Sequence, residues 1–339
     1  MKLHSIISCV FLCLFLSCQK EDNPNKINTC NSNGLLETFI TLDGEEVFIY
    51  EDGKLYTNIN GLCAFTLQYF EPNFLENNYL TDNSGTFLKD GGDLFPTKNN
   101  YVENFDNQSA FKELFINSIT DTDLYWTNFT LQSPAAPEVS DYVALSQCIL
   151  DETCTFIDNK IELVNNPVNI SNKVLKFTSV PPTANMITSK ASISSILNFY
   201  LKDSDVWFEA DYFIEDGMPY SIVDFENSYF HQSPGPRVVI RNNKLEFENK
   251  FGSKLNIINN SGMSVTKNQW FTLKVHLKYS NESNGIIEIW QDGIKIISET
   301  GINLPTSNSI QNILEVGITA SSAGCVLLFD NMIISDTPF

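Results

Sequence analysis

The stretch SIVDFENSYFHQSPGPRVVIRNNKLEFENKF, residues 221–251, carries the pattern that decides the fold. Its charged residues recur two or four positions apart, and apolar residues fill the positions between them. The residues that follow this spacing are Asp224, Glu226, Arg237, Arg241, Glu246, Glu248 and Lys250. In an extended chain, alternate side chains point to opposite faces. The pattern therefore predicts consecutive strands, each with one apolar face and one charged face.

The same alternation extends along most of the chain after residue 101. It is clear in VWFEADYFI (206–214) and WFTLKVHLKY (270–279), and about ten such segments follow one another, separated by turns. A helical pattern is weak and confined to residues 109–119 and 191–202. Without a convincing crossover helix, the sequence predicts an all-β fold, an antiparallel two-sheet sandwich.

The bulk composition restricts the partners. The 339 residues carry a formal net charge of -20. Nucleic-acid binding depends on basic patches that release counterions, so the composition predicts no nucleic-acid partner.

The N-terminus indicates export. Residues 6–17 are apolar but too few to span a bilayer, as is typical of a signal peptide. The following FLSCQKED (15–22) resembles a lipobox, which implies that Cys18 is acylated. Residues 19–22 resemble the export tag of Bacteroidota surface lipoproteins. The resemblance implies an outer-membrane protein, exposed at the cell surface, that contacts the membrane only through its N-terminal lipid. An ordinary secretory peptide is the alternative.

Four regions follow from these signals: a lipoprotein signal peptide (1–17), a tether (18–29), a small β-hairpin region (30–100) and the sandwich domain (101–339). Two Asp-Gly pairs, at 43–44 and 52–53, predict hairpin turns in the third region. Residues 79–100 are rich in turn formers and predict a linker.

The cysteines leave several pairings open. After the signal peptide and Cys18, an odd number remains: Cys30, Cys63, Cys148, Cys154 and Cys325. Cys148 and Cys154 are close enough to close a small loop, and Cys30 could pair with Cys63. Cys325, in an apolar segment, would then be buried and free. No C-x-x-C motif supports a zinc site.

A family resemblance lies in NQWFTLKVHLKYSNESNGIIEIWQDGIKI (268–296). Trp270, followed by Gly285, Trp290, Asp292 and Gly293, resembles a strand pattern of concanavalin A-like jelly rolls, especially heparin-lyase-I-type and alginate-lyase-type polysaccharide lyases. The closing LLFDNMIISDTP (327–338) resembles their last strand. The likeness covers about residues 160–339. It implies a jelly roll, whereas the activity stays open because laminin-G-like domains share the pattern.

The charged faces predict a carbohydrate surface. Exposed ion pairs contribute only about 0–1 kcal/mol each, so stability alone is a weak reason for so many. A concave sheet lined with carboxylates and guanidiniums can hydrogen-bond sugar hydroxyls. The predicted ligand-binding residues are Asp224, Glu226, Gln232, Glu246, Glu248 and Lys250. The alternative is an ordinary solvated outer face.

Lyase chemistry needs a cation to neutralise a uronate carboxylate, together with a base and an acid. The predicted catalytic residues are Tyr229, His231, Arg237 and Arg241, with Tyr229 and His231 two positions apart. Tyr229 and His231 could instead be rim residues or ligand contacts. Paired carboxylates such as Glu209 and Asp211 would suit a glycoside hydrolase, but the E-x-D-x-x-E arrangement of β-glucanases is absent.

The sequence therefore predicts a surface lipoprotein that binds an extracellular polysaccharide and cleaves it by β-elimination. The alternative is a non-catalytic module for glycan binding or adhesion. No cofactor is predicted, although Asp121, Asp123 and Asp330 leave a structural Ca2+ open.

Overall fold

The structure is a computed structural model. It describes residues 26–27, 35–40, 46–50, 54–59, 62–69 and 74–339, except for residues 91, 122, 184–185, 187, 228–234, 251–253, 306 and 308. Cys18 and the predicted signal peptide lie outside the described residues, and the predicted region boundaries stay predictions. No helix in the described part of the chain is long and apolar enough to cross a membrane.

The N-terminal region forms a five-stranded antiparallel sheet in the order β1-β5-β4-β3-β2. Its strands are β1 (Lys26–Ile27), β2 (Leu35–Ile40), β3 (Glu46–Tyr50), β4 (Lys54–Ile59) and β5 (Leu62–Tyr69). The strands that flank each Asp-Gly pair are hydrogen-bonded to one another. The two predicted hairpins are therefore confirmed by their strand pairing.

The predicted linker at 79–100 is wrong, because most of it forms a three-stranded sheet. A short helix, α1 (Phe74–Asn78), precedes β6 (Tyr79–Asp82), β7 (Gly85–Asp90) and β8 (Asp93–Pro96). Apolar side chains of this sheet pack with Ile116, Leu197 and Ile310 of the main domain. That packing buries the apolar face of the three-stranded sheet. The segment also contains many turn-forming residues, and for that reason its strands were not recognised from the sequence.

The main domain is an antiparallel sandwich of two sheets, as predicted. The seven-stranded sheet has the order β10-β13-β22-β15-β16-β17-β18. Its strands are β10 (Asn128–Thr130), β13 (Ser189–Ser195), β15 (Ser221–Asn227), β16 (Arg237–Arg241), β17 (Lys244–Glu248), β18 (Asn256–Ile257) and β22 (Gln311–Ser321).

The eight-stranded sheet has the order β11-β12-β23-β14-β19-β20-β21, with β9 also paired to β23. Its strands are β9 (Tyr101–Glu103), β11 (Lys160–Asn165), β12 (Lys173–Ser179), β14 (Asp205–Asp216), β19 (Trp270–Lys278), β20 (Gly285–Gln291), β21 (Ile294–Gly301) and β23 (Cys325–Ser335).

The core lies between these two sheets and uses the apolar faces that alternation predicts. Phe208 and Tyr212 of β14 face Phe225 of β15 and its neighbours in one buried cluster. Phe208 and Phe225 meet edge to face, with ring centroids 5.8 Å apart. Each fully buried Phe contributes about 1.5–3 kcal/mol to stability. The inner faces thereby hold the sheets together and leave the polar faces outside.

Helical segments are where local pattern reading fails. Residues 189–195 form β13, in place of the predicted helix at 191–202, because Ala191 and Ile193 complete the core beside β22. The segment 109–119 keeps only a 3-10 helix at Phe111–Leu114. Helix α2 (Val139–Leu150) was not predicted.

Two cysteine predictions are confirmed. A disulfide joins Cys148 to Cys154 at the end of α2. Cys325 is free and buried. Cys30 lies outside the described residues, so its pairing with Cys63 stays a prediction.

The backbone conformation and the close packing at position 317 of β22 require a glycine there. Its φ is +113°, and an added Cβ would lie 2.7 Å from the Phe177 ring. Overpacking and an unfavourable φ both destabilise. We expect Gly317→Ala to lower the free energy of unfolding by about 3 kcal/mol, measured by urea titration of tryptophan fluorescence. Gly301→Ala is the control, because an added Cβ there meets only Lys254 at 3.9 Å; equal losses for the two variants would contradict the assignment.

Candidate functional site

The outer face of the seven-stranded sheet carries an unbroken row of polar residues, which we call the charged row. Directly paired residues of antiparallel strands point to the same face. Successive registers place one polar residue on each of six neighbouring strands. In sheet order they are Ser194, Glu315, Asp224, Arg237, Glu248 and Asn256. Arg237 is paired with Asp224 on one side and with Glu248 on the other, so opposite charges follow one another on β15, β16 and β17 because they pair across neighbouring strands.

Not every charged strand contributes to this face. Glu209 and Asp211 lie on β14, which belongs to the eight-stranded sheet. They therefore lie on a different sheet from Asp224 and Glu226. Similar alternation gave the two pairs the same appearance in sequence, but their strands pair in different sheets.

Glu248 is the centre of a cationic cluster, defined here as Arg237, Arg241 and Lys250. Arg237 donates to its carboxylate from Nε at 3.0 Å and from Nη2 at 2.7 Å. Arg241 Nη2 donates at 2.5 Å, and Lys250 donates as well. The Tyr220 hydroxyl completes the set at 2.5 Å. The Glu248 carboxylate thus accepts hydrogen bonds from three cationic side chains and from one phenol hydroxyl.

These contacts explain how Glu248 stays charged. Burial opposes its ionisation, but hydrogen bonds from Lys250 and Tyr220 and the charge of Arg237 outweigh it and lower the pKa of Glu248 to about 2. Both guanidiniums also lie over the Tyr220 ring, 5.3 and 5.2 Å from its centroid. The ring therefore holds the two arginine heads side by side.

The cationic cluster has further contacts beyond Glu248 and stays partly exposed. Besides Glu248, Arg241 contacts Glu246 at 3.4 Å and the Asn256 amide oxygen at 2.9 Å. Because Arg237 also contacts Asp224 of β15, the three cations face three carboxylates. The side chains of Arg237 and Arg241 are 20% and 26% exposed, against 11% for Glu248. The guanidiniums are consequently open to an incoming anion, such as a carboxylate.

A carboxyl cluster adjoins it on β15 and β22, formed by Asp224, Glu226 and Glu315. One oxygen of each lies within 4.8 Å of the others. Asp224 accepts from Ser221 at 2.6 Å and from Thr319 at 2.9 Å. The Arg237 guanidinium lies 4.0 Å from Asp224 and links the two clusters.

Lys190 of β13 is the counterion beside the carboxyl cluster. Lys190 Nζ lies 3.7 Å from Glu315, which also accepts from Ser192 at 2.5 Å. Burial lowers the pKa of Lys190, but the charges of Glu315 and Glu226 outweigh it and raise that pKa. The ammonium therefore stays charged among the carboxyls. A nearby fixed cation weakens the case for a metal ion here, and we infer none.

The residues named for Ca2+ lie elsewhere. Asp121 accepts from the backbone N–H groups of Asn117 and Ser118 at 2.8 and 2.9 Å, and so caps a turn. Asp330 is buried, and burial together with nearby Asp106 and Asp211 raises its pKa to about 7. Neither arrangement tests the Ca2+ prediction, which stays a prediction.

The structure brings together most of the predicted site residues. Asp224, Glu226, Arg237, Arg241, Glu246, Glu248 and Lys250 share the contacts described above. Tyr229, His231 and Gln232 lie outside the described residues. The roles assigned to all of them stay predictions.

Sequence reasoning missed Lys190, Glu315 and Tyr220. Lys190 directly precedes residues 191–202, which the sequence predicts as a helix, and it is an isolated charge there. Glu315 is a lone charge in an apolar run, ILEVGITA, and such a charge in a buried strand was the available signal. Tyr220 precedes β15 and gave no periodic signal.

The outer face of the eight-stranded sheet is built differently. Trp207 stacks on His276 with centroids 3.8 Å apart and planes 6° from parallel. The two His276 ring nitrogens lie 2.8 Å from carboxylate oxygens of Glu288 and Asp205. Because both nitrogens are engaged, this histidine holds the strands together and is not free for substrate.

The fold and the site define a two-sheet β-sandwich protein with one charge-lined polar face. The chain belongs to the polysaccharide lyase family, whose model, described as “Polysaccharide lyase”, matches residues 115–332. No curated protein sequence matches the chain.

The chain is similar to solved lyase structures at low identity. One is endo-beta-1,4-glucuronan lyase from the fungus Trichoderma reesei, at 15% identity and a TM-score of 0.44 over 53% of this chain and 88% of that chain. Another is alginate lyase Aly36B, at 9% identity and a TM-score of 0.41 over 71% and 97%. A third, alginate lyase AlgAT5, has 12% identity and a TM-score of 0.41 over 62% and 94%.

The lowered pKa of Glu248 predicts an acid-sensitive contribution to stability. Because the folded-state value lies below the ordinary 4.5, this contribution is full above pH 4.5 and is lost as pH falls through about 2. The pH-linked part is roughly 3 kcal/mol, at 1.36 kcal/mol per pKa unit. Urea unfolding at pH 7, 4.5 and 3 should show that the difference in the free energy of unfolding between wild type and Glu248→Gln becomes smaller as the pH falls.

The exposed Glu162, on β11 of the other sheet, provides the control. Glu162→Gln should change stability by less than about 0.5 kcal/mol at each pH. If the difference in the free energy of unfolding between wild type and Glu248→Gln stays constant from pH 7 to pH 3, the ion-pair assignment is contradicted.

Proposed function

We propose that the protein cleaves an anionic, uronate-containing polysaccharide by β-elimination on the outer face of the seven-stranded sheet. Family membership supports polysaccharide cleavage. The observation that carries the proposal is the charged row, in which a cationic cluster and a carboxyl cluster meet through Arg237 and Asp224.

The reaction starts at C5, next to the uronate carboxylate. A base removes the C5 proton, and negative charge spreads onto the carboxylate as the C4–O4 bond breaks. Fixed cations stabilise such charge most effectively when they are held in place beforehand. Arg237 and Arg241 are held by Glu248 and Tyr220, with their guanidiniums partly exposed. They are the proposed partners of the substrate carboxylate.

The base is proposed to come from Tyr229 or His231. Both belong to the connection between β15 and β16, the strands that carry Asp224 and Arg237. Their spacing would aim both side chains to one side of an extended segment. Gln232, in the same connection, is proposed to hydrogen-bond the substrate.

The remaining carboxylates of the face are proposed to bind sugar hydroxyls. Asp224, Glu246 and Glu248 accept hydrogen bonds, and sugar hydroxyls donate them. Lys250 sits against Glu248 and adds to the positive charge that faces the substrate.

We further propose that the mature protein is held on the outer membrane by a lipid on Cys18 and faces the cell exterior. The support is the apolar run at 6–17, the FLSC segment and the acidic QKED that follows. An acyl chain contributes about 0.8 kcal/mol per buried CH2, and two or more chains give stable anchoring.

The proposed activity predicts an unsaturated product. The chain from residue 19 onward, which keeps every described residue, should release product with a C4=C5 double bond conjugated to a carboxylate. The assay is ultraviolet absorbance on alginate, glucuronan, heparin and pectate. Arg241→Ala should lower kcat/KM by about 10- to 100-fold, because a charge-assisted hydrogen bond contributes about 1.5–3 kcal/mol.

Lys278→Ala is the matched control, since Lys278 lies on β19 of the opposite sheet; its kcat/KM should match wild type. Absence of product from all four polymers would refute the lyase proposal. If wild type also stays retained in gels containing one of these polymers, the protein is a non-catalytic glycan-binding module.

The proposed anchor predicts that Cys18→Ala abolishes fatty-acid labelling of the full chain and moves it to the aqueous phase of a Triton X-114 extraction. Cys13→Ala, within the predicted signal peptide, should label like wild type. Protease added to intact cells should digest the wild-type protein if it faces outward. Labelling of Cys18→Ala at the wild-type level would exclude the lipobox assignment.

A further inference from the structure

One carboxyl group on the charged face has no hydrogen-bond partner in the part of the chain that the structure describes. Glu226 on β15 is half-buried, and no donor among the described residues reaches it. Its neighbours differ, because Asp224 accepts from two hydroxyls and Glu315 from one. The Glu226 carboxyl is therefore the member of the carboxyl cluster that is left available to a ligand.

The surroundings of Glu226 are dominated by like charge. Two carboxyls lie within 4.8 Å, whereas the nearest fixed cations already contact other carboxylates. The charged and titratable groups that face it are Asp224 on its own strand, Glu315 on β22, Lys190 on β13, Arg237 on β16 and Tyr142 on α2. This arrangement favours a neutral, proton-bearing Glu226.

A second observation points to a bound polar molecule beside Glu315 of the carboxyl cluster. Ser194 is directly paired with Glu315 across β13 and β22, so both side chains point to the outer face. The Ser194 hydroxyl is buried and has no hydrogen-bond partner among the described residues. Buried hydroxyls in native proteins nearly always have a partner, which is supplied by protein, water or ligand.

We infer that Glu226 is the proton donor to the departing sugar oxygen in the β-elimination proposed above. The inference rests on that proposed function and assigns a further catalytic residue to it. Glu226 lies on β15 between the cationic cluster on β16–β17 and Glu315 on β22. A uronate whose carboxylate contacts Arg237 thus meets the Glu226 carboxyl on the neighbouring strand.

The step balances without any further reactant. The base takes the C5 proton, and the C5–H electron pair forms the C4=C5 double bond. The C4–O4 bond breaks with its electrons on O4, which receives the proton of Glu226. The products are a free hydroxyl end and an unsaturated uronate end. The base then releases its proton to water, and Glu226 regains one from water.

The ionisation of Glu226 suits this role. Burial and the charge of Glu315, only partly offset by Lys190, raise the pKa of Glu226 to about 8. The group holds its proton near neutral pH and gives it up readily as charge develops on O4, which is the condition for efficient general acid catalysis. The raised pKa also means that the folded protein is less stable as pH rises from 4.5 through about 8.

The test compares wild type with Glu226→Gln, which keeps the size and neutrality of the protonated side chain. On the best polymeric substrate we expect kcat to fall by about 100- to 1,000-fold. On a methyl uronide with a 2,4-dinitrophenoxy group at C4, the leaving group needs no proton, and kcat should stay within about 10-fold of wild type. The kcat of wild type on the polymer should also decline above pH 8, in step with the loss of the Glu226 proton.

Two further measurements distinguish a failure of the proton-donor role from a failure of the proposed lyase function. Glu162→Gln, on the other sheet, should match wild type on both substrates. Urea unfolding from pH 5 to 9 should show a decline for wild type that is reduced in Glu226→Gln, whether or not the protein is a lyase.

Polymer cleavage by Glu226→Gln within 10-fold of wild type would overturn the proton-donor role. Equal losses on the polymer and the dinitrophenyl substrate would overturn it as well, because they indicate a structural or binding effect. An inactive wild type with the expected unfolding profile would refute the proposed function, and with it this role, while leaving the ionisation of Glu226 intact.

Discussion

The charged face depends on the ion pairs that gather around Glu248. A charge removed from water is costly unless it is paired and hydrogen-bonded. Glu248 meets that requirement for Arg237, Arg241 and Lys250 together, and Tyr220 fills the remaining space between the guanidiniums. Without this carboxylate, three cations would lie side by side on one sheet. With it, their positions are fixed by hydrogen bonds while both guanidiniums stay partly exposed.

The same sheet separates two kinds of electrostatic environment over neighbouring strands. The cationic cluster stabilises negative charge, whereas the carboxyl cluster disfavours it and so retains a proton. Arg237 and Asp224, paired in register, mark the boundary between them. A polysaccharide lyase needs both properties close together, because its substrate carries a carboxylate on the carbon beside the bond that breaks. The charged row supplies them from strands that the core holds in fixed register.

The parts of the fold that could be predicted from the sequence are those in which apolar and polar side chains alternate. Strands such as β14, β15 and β19 were predictable because a half-buried strand must alternate apolar and polar side chains. Residues 79–100 and 189–195 were misread because their apolar positions become buried only against other parts of the chain. Within the site, Arg237 and Glu248 were accessible to sequence reasoning through their spacing. Lys190 and Glu315 were missed because neither belongs to a periodic charge pattern, although the lone charge of Glu315 in an apolar run was a usable signal.

The sequence by itself determined which side of each strand is polar, that Cys148 and Cys154 are close enough to bond, and that the chain resembles polysaccharide lyases. These properties are local, because they depend on side-chain alternation, short spacing and motif likeness. Only the tertiary structure decided which strands are neighbours. It placed Glu209 and Asp211 on the eight-stranded sheet, and it joined Glu315, Asp224, Arg237 and Glu248 in one row. Strand pairing over long sequence separations is set by how the whole chain buries its apolar faces, and alternation within one strand carries no information about its partner.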